Sequence, residues 1–309
     1  MNESIYKYMK VGIIHFMAYP QVMKGEGPIL ETLEEIAKDD YFNVVEVTWM
    51  KDPEVRRKAK EMLTAAHMTV AYGAQPRTLT TGLDINSLDE KVRSQALATL
   101  KEGIDEAYEL GAKGMAFLSG KYPGKEKEED AYQALLDSTK QLCAYAKSKG
   151  DLGVTLEIFD RDIEKKALIG PNDLAVRLAK EVRREYDNFG LMVDLSHLPL
   201  LGQSPREALV PVKDYLVHVH IGNAVMRDKS HPAYGDAHPR FGIEGGENDV
   251  PELVEFLKVL MEIGYLNPAN PRIVSFEVKP VGSESSELVI ANAKRVLTEA
   301  WARLYTVVQ

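Results

Sequence analysis

GVTLEIFDRDIEKKALIGPNDLAVRLAKEVRREYDNFGLMVDLSH, residues 153–197, holds the pattern on which the fold depends. An apolar, β-branched run (Gly153–Asp160) leads through a turn marked by Gly170-Pro171 into an amphipathic stretch over about 171–187. A second apolar run (Gly190–His197) follows. Apolar runs of strand length on either side of a helical period are the signature of a βαβ unit on a parallel sheet.

Outward from this unit the same rhythm repeats. Upstream lie KVGIIHFM (10–17), NVVEVTW (43–49), MTVAYG (68–73) and GMAFLSG (114–120); downstream lie YLVHVHIGN (215–223) and RIVSFEVKP (272–280). Helical patterns fall at about 28–39, 53–66, 87–110, 127–149, 205–213, 249–263 and 284–305. Asp52-Pro53 and Gly170-Pro171-Asn172-Asp173 read as helix starts, and Gly111, Gly150 and Gly264 as left-handed residues after helix ends. Eight strands, each followed by a helix, are the arithmetic of a closed (β/α)8 TIM barrel, an α/β fold. The competing open, doubly wound sheet needs a G-x-G-x-x-G turn after its first strand, and HFMAYPQVMKGEG is not one. No linker rich in Pro, Gly or Ser divides the chain, so residues 1–309 are expected to form one domain. One connection breaks the short-loop rule. The segment 224–249 between the seventh strand and its helix is longer than the ~12–15 residues beyond which loops are usually functional or disordered.

Composition narrows the class further. The chain has 309 residues, 45% hydrophobic and 28% charged, which excludes a disordered chain, a collagen and a disulfide scaffold. The single cysteine, Cys143, reads as a packed thiol within a helix. With 38 Lys+Arg against 47 Asp+Glu the net charge is −9, and no basic run supplies a nucleic-acid face. The N-terminal MNESIYKYMK lacks the apolar stretch of a signal peptide, and no apolar run is long enough to cross a membrane. A cytoplasmic protein without nucleic-acid or membrane partners is expected.

In a parallel barrel the chemistry sits at the C-terminal ends of the strands. There, Glu157, Asp194, His220 and Glu277 interrupt the apolar runs TLEIF, MVDLS, HVHIG and SFEVK. A lone buried carboxylate costs several kcal/mol, and three at one mouth repel one another; a divalent cation resolves both problems. Three carboxylates and one imidazole suit Mn2+, the ion expected here, with Mg2+, Co2+ and Zn2+ as alternatives. His218 shares the parity of His220 and reads as a satisfied core histidine, a second ligand being the alternative. His197, just past its strand, can reach a substrate oxygen, or else is a surface-loop histidine. His15 and Glu46, near the ends of strands one and two, either line the pocket or form structural pairs. Arg227 could hold a substrate oxygen with its fork of donors, and Lys279 shares the parity of Glu277 at the pocket rim. His231, His238 and Arg240 lie in the long loop with signals too weak to assign.

At these residues the chain resembles the xylose isomerase-like TIM-barrel superfamily, in particular the sugar isomerases and epimerases around D-tagatose 3-epimerase. LEIFDRD resembles the first ligand motif, which implies Glu157 as a ligand. DLSH resembles a D-x-x-H motif, implying Asp194 as ligand and His197 as substrate contact. HVHIGNAVMR resembles the HxH motif with a following arginine, implying His220 as ligand and Arg227 as substrate contact; FEVKP implies Glu277 as the fourth ligand. Arg227 stands one residue further from its histidine than the pattern has it, and residues 228–241 look like an insertion.

The resemblance implies reversible proton transfer next to a keto-sugar carbonyl through a metal-stabilised enediolate, with Glu157 and Glu277 as the two bases. The leading alternative is lyase chemistry on an oxidised sugar, as in the resembling C-glycoside deglycosidase catalytic subunits, or keto-inositol dehydration. Further alternatives are phosphodiester hydrolysis and a non-catalytic sugar-binding barrel. Endonuclease IV, of the same superfamily, needs a richer histidine set than the sequence displays. A small sugar or glycoside is the expected ligand; a homo-oligomer is expected, and the long loop would also suit a small accessory subunit.

Overall fold

The computed structural model describes residues 3–307; Met1 and Asn2, the start of the N-terminal stretch read above, lie outside them. The strands are β1 (Met9–Ile14), β2 (Val44–Val47), β3 (Thr69–Gly73), β4 (Gly114–Leu118), β5 (Gly153–Glu157), β6 (Phe189–Asp194), β7 (Leu216–Gly222) and β8 (Arg272–Glu277). They pair in parallel in chain order, and β8 closes on β1. The helices are α1 (His15–Ala18), α2 (Ile29–Lys38), α3 (Pro53–Ala65), α4 (Gln75–Leu79), α5 (Glu90–Leu110), α6 (Glu128–Lys149), α7 (Asn172–Val182), α8 (Leu198–Leu201), α9 (Pro205–Leu209), α10 (Val250–Glu262) and α11 (Ser286–Val307). This is the expected (β/α)8 barrel, with helices between consecutive strands and after the last.

Strand alternation decides which residues face the barrel lumen. Val154 and Leu156, Leu191 and Val193, Val219 and Ile221, and Val274 and Phe276 are buried in one apolar core with Leu178, Leu257 and Leu297 of the surrounding helices. The alternate positions, among them Glu157, Asp194, His218, His220 and Glu277, therefore project inward. Glu157, Asp194 and Glu277 are the last residues of their strands.

Several expectations need correction at the element ends. β5, β6 and β8 each stop three residues short of the apolar runs. The helices expected over 171–187 and 205–213 end at Val182 and Leu209. Asp52 caps α3, its side chain accepting from the Glu54 N–H at 2.8 Å. Asn172 instead turns its amide to the Glu207 carbonyl at 2.7 Å, linking α7 to α9. Gly111 (φ 75°) and Gly264 (φ 76°) are left-handed as expected, whereas Gly150 is extended.

Gly222 ties the barrel to its mouth. A Cβ at this position would lie 2.4 Å from the Glu277 carbonyl oxygen, so β7 and β8 approach too closely there for any side chain. Gly222→Ala should lower the unfolding free energy by about 1–3 kcal/mol, because backbone rather than a mobile side chain must yield. A thermal melt matching the unsubstituted chain would show that this close approach is not required.

Candidate functional site

Glu157, Asp194, His220 and Glu277 come together at the C-terminal mouth, with one ligand atom from each lying within 4.8 Å of the others. All four side chains are buried. Their oxygens are divided in a consistent way. Glu157 Oε2 accepts from the Gln75 amide at 2.7 Å, and Asp194 Oδ1 accepts from the Ser196 N–H at 2.7 Å. The other oxygen of each, Glu157 Oε1 and Asp194 Oδ2, is buried with no hydrogen-bond partner, as are Glu277 Oε2 and His220 Nδ1. His220 Nδ1 stands 2.8 Å from Glu277 Oε2 and 3.4 Å from Glu157 Oε1. Unpartnered buried polar atoms are rare and costly. These four belong to the same four residues that supply a coordination set for a divalent cation, so the donor set fits such an ion.

A cavity of about 210 Å³ opens over this cluster. Glu46, Glu157, His220, Glu277 and Lys279 line it on the polar side, and Ile14, Phe16, Pro76 and Phe159 on the apolar side. An apolar pocket with a few converging polar groups is the usual form of a small-ligand site. Glu46, at the end of β2, reaches across the lumen to His218 and His220.

The structure turns three of the expected substrate contacts elsewhere. His15 opens α1, and its Nε2 lies 2.7 Å from Thr32 Oγ1, behind the cavity wall. Arg227 is exposed and pairs with Glu247 at 3.1 Å, because the chain leaves the barrel after Val225 and carries this side chain to solvent. His197 is buried, but it lies beneath the lining: Nδ1 faces the Ile158 carbonyl at 2.9 Å, Nε2 faces Asp236 Oδ1 at 3.1 Å, and the ring packs on Phe159 at 4.4 Å.

Sequence reading missed the residues that the long loop delivers. Asp236 and His238 are buried and line the cavity. Asp236 Oδ1 is 2.9 Å from His238 Nε2, and Asp236 Oδ2 is 2.6 Å from Lys165 Nζ. His238 lies 3.4 Å from Glu277 Oε1 and has φ 51°, an unfavourable backbone region for a non-glycine residue. Asp194, His197 and His238 thus form a second group with ligand geometry, and Glu46, His218 and His220 a third. The histidine set is richer than the motifs alone suggested. The D-x-H spacing of Asp236 and His238 inside an overlong loop was the available signal. Gln75, two residues beyond the end of its apolar run, offered none.

Buried side chains tie the loop down through its backbone. Asn223 Oδ1 accepts from the N–H groups of Ala224, Glu247 and Asn248 at 2.8, 3.1 and 2.7 Å. Asp160, fully buried, accepts from the N–H groups of Ile163, Glu164 and Lys165, shaping the neighbouring loop that carries Lys165.

Charge and burial set the ionisation of these groups. Burial pushes the Glu277 carboxyl up to about 7, against the pull of His238. Burial also disfavours the charged form of Asp194, but His197 and His238 outweigh it and hold this carboxyl below its ordinary value. His238 is raised to about 9, because Glu277 and Asp236 overcome its desolvation. His15, with no charged partner, is lowered by burial to about 3.

His15 therefore has a sign that can be checked. The folded ring stays neutral down to about pH 3, whereas in the unfolded chain it takes up a proton near its ordinary 6.5. Its contribution is fully present above pH 6.5 and is lost as the pH falls. His15→Asn should remove about 2–3 kcal/mol from the loss of unfolding free energy between pH 6.5 and 4.5. Identical pH slopes for the two proteins would refute this.

Comparison with known proteins follows the same lines. A D-tagatose 3-epimerase-like protein superposes with a TM-score of 0.73 at 18% identity, covering 97% of this chain and 100% of that one. D-psicose 3-epimerase from Clostridium cellulolyticum H10 gives 0.64 at 20% identity, covering 96% and 98%. An AP endonuclease of family 2 from Brucella melitensis gives 0.66 at 18% identity, covering 92% and 97%. At such identities these likenesses show the fold. No curated protein sequence matches the chain. The model of the family described as xylose isomerase-like TIM barrel matches residues 34–299, most of the chain. The chain belongs to the xylose isomerase-like TIM-barrel family.

Proposed function

We propose that the protein is a divalent-metal-dependent sugar isomerase or epimerase that moves a proton on a carbon next to a carbonyl. The observation that carries this reading is the set of four buried, unpartnered atoms on Glu157, Asp194, His220 and Glu277 beneath a cavity of about 210 Å³. The names of the fold neighbours, D-tagatose 3-epimerase-like protein and D-psicose 3-epimerase, support the same class of substrate. A bound dication would supply positive charge against the negative charge that develops on the sugar's oxygens as the proton leaves.

The chain's own residues do the proton work. Glu277 has one oxygen unpartnered and the other beside His238, and burial holds its carboxyl at about 7. A buried carboxyl lining the cavity can both take and return a proton, and a bound dication would lower its hold on that proton below the metal-free value. Glu157, anchored by Gln75, is the second carboxylate and exchanges the proton at the other face of the reacting carbon. Phe16, Pro76 and Phe159 form the apolar side of the cavity, and Lys279 adds a charged donor to its lining.

A lyase reading stands second, on one observation. His238 and Asp236 place a further proton-carrying pair against Glu277, which a two-carboxylate epimerase does not require. A leaving group expelled from an oxidised glycoside or inositol must receive a proton, and His238, which lines the cavity, would be its donor. Phosphodiester hydrolysis is disfavoured. Lys165 already neutralises Asp236 beside the second ligand group, and the net charge of −9 opposes a polyanionic substrate.

Ketohexoses, keto-inositols and 3-oxo-glycosides, assayed with Mn2+ in deuterated water, test the reading. Glu277→Gln should lower turnover and solvent-deuterium incorporation by about 10²–10⁴-fold with the fold intact; near-normal rates would end the assignment of Glu277. Mn2+ should also raise the unfolding free energy by about 2.7 kcal/mol at a hundred times its Kd, and a chelator should reverse the gain. A melt indifferent to Mn2+, Mg2+, Co2+ and Zn2+ would remove the metal.

A further inference from the structure

The two ring nitrogens of His220 face different partners. Nδ1 looks toward Glu157 and Glu277, whereas Nε2 lies 3.2 Å from Glu46 Oε2. The other Glu46 oxygen, Oε1, lies 2.7 Å from His218 Nε2. The two imidazoles stand at 88° with centroids 5.1 Å apart, so both Nε2 atoms converge on a single carboxylate. Glu46 sits on β2 and the histidines on β7, and β1 and β8 lie between them in the closed barrel. The carboxylate thus spans the lumen, and it is 2% exposed.

Chemistry fixes the proton in this arrangement. An ionised carboxylate only accepts, so each nitrogen hydrogen-bonded to Glu46 must be an N–H. His220 thus keeps a proton on Nε2, and Nδ1, which makes no hydrogen bond, is the nitrogen that can turn a lone pair to the centre. Glu46 and His218 have no unpartnered ligand atom, unlike the cluster around Glu157. They are satisfied by one another, which distinguishes a supporting group from a second ion site.

We propose that Glu46 is a positioning residue: held by His218, it fixes the ring and tautomer of His220 so that Nδ1 is offered to the divalent ion. This rests on the metal reading above. It replaces the expectation that Glu46 is a substrate contact, since both its oxygens are engaged. Carboxylate partners of this kind typically change metal affinity by about 10–100-fold when removed.

The test is Mn2+ affinity, measured by calorimetry on the metal-free protein and its variants. Glu46→Ala should weaken Mn2+ binding by about 10–100-fold. Glu46→Gln should weaken it less. Its amide oxygen still accepts from His220, while its NH2 faces His218, whose ring can shift its proton to Nδ1. His218→Ala should give an intermediate loss, and the double variant Glu46→Ala with His218→Ala should bind no more weakly than Glu46→Ala alone. A merely structural pair would shift the metal-free melt without this pattern.

Wild-type affinity in Glu46→Ala, or multiplied losses in the double variant, would overturn the proposal. If Glu46→Ala does not fold, the near-isosteric Glu46→Gln decides, and unchanged affinity there counts against the proposal. A wild-type chain that binds none of Mn2+, Mg2+, Co2+ or Zn2+ would overturn the metal reading and this inference together, a result recognisable before any variant is made.

Discussion

Like charges buried at short range are the constraint on which the mouth of this barrel is built. Glu157, Asp194 and Glu277 end three strands of a closed sheet, and each is removed from water. Desolvating a carboxylate costs several kcal/mol, and its neighbours add repulsion in a medium that screens poorly. The surrounding residues answer part of this. Gln75 and the Ser196 N–H each satisfy one oxygen, and His238 stands beside a third. The oxygens turned inward make no hydrogen bond: His220 Nδ1 stands near Glu277 and Glu157, and His238 and His197 lie 3.7 and 4.0 Å from Asp194 Oδ2, all without hydrogen-bonding geometry. Such a division, one oxygen anchored and one left free, would orient the ligands of the proposed ion in advance and keep the reorganisation on binding small.

The parts of this site that strand periodicity governs were readable from the sequence. Alternation along β5, β6, β7 and β8 puts Glu157, Asp194, His220 and Glu277 on the lumen side, and the chain direction puts them at the end where a barrel keeps its chemistry. The same rule correctly gave His218 the parity of His220. Motif spacing was a poorer guide where the backbone leaves the sheet. Arg227 follows its histidine in the expected direction but falls beyond Val225, which pairs with Tyr234 and Gly246 and takes the chain outward. His197 lies in the short turn after β6, where its direction depends on contacts with Ile158 and Asp236 that no local pattern encodes.

Asp236 and His238 show most clearly why the remainder was hidden. Their loop has no period to read. Its path is set by Asn223 and Asn248, by the Asp236 N–H bonded to Glu164, and by Phe241, which is fully buried in the main core. Gly235 is required in that path: it is left-handed at φ 86°, and a Cβ there would meet Glu164 Oε2 at 2.5 Å. An apparent insertion is thereby part of the wall of the cavity. The left-handed backbone at His238 costs of order 1 kcal/mol, held by the contacts around it.

Protonation completes the electrostatic account. Asp236 and Glu46 bring further carboxylates to the mouth, and among the described residues the fixed cation paired with this group is Lys165, against Asp236. The imidazoles of His197 and His220 are both raised well above their ordinary value: burial opposes this, but the surrounding carboxylates prevail. In the metal-free chain, protons on these rings therefore do the neutralising that an ion would otherwise do. An ion bound through His220 Nδ1 needs that nitrogen free of its proton, so binding and proton release are linked. Glu46 matters here in a second way. On the proposed reading, Glu46 would keep the Nε2 proton on the far side of the ring, so that a dication could take the place of the Nδ1 proton with His220 still hydrogen-bonded.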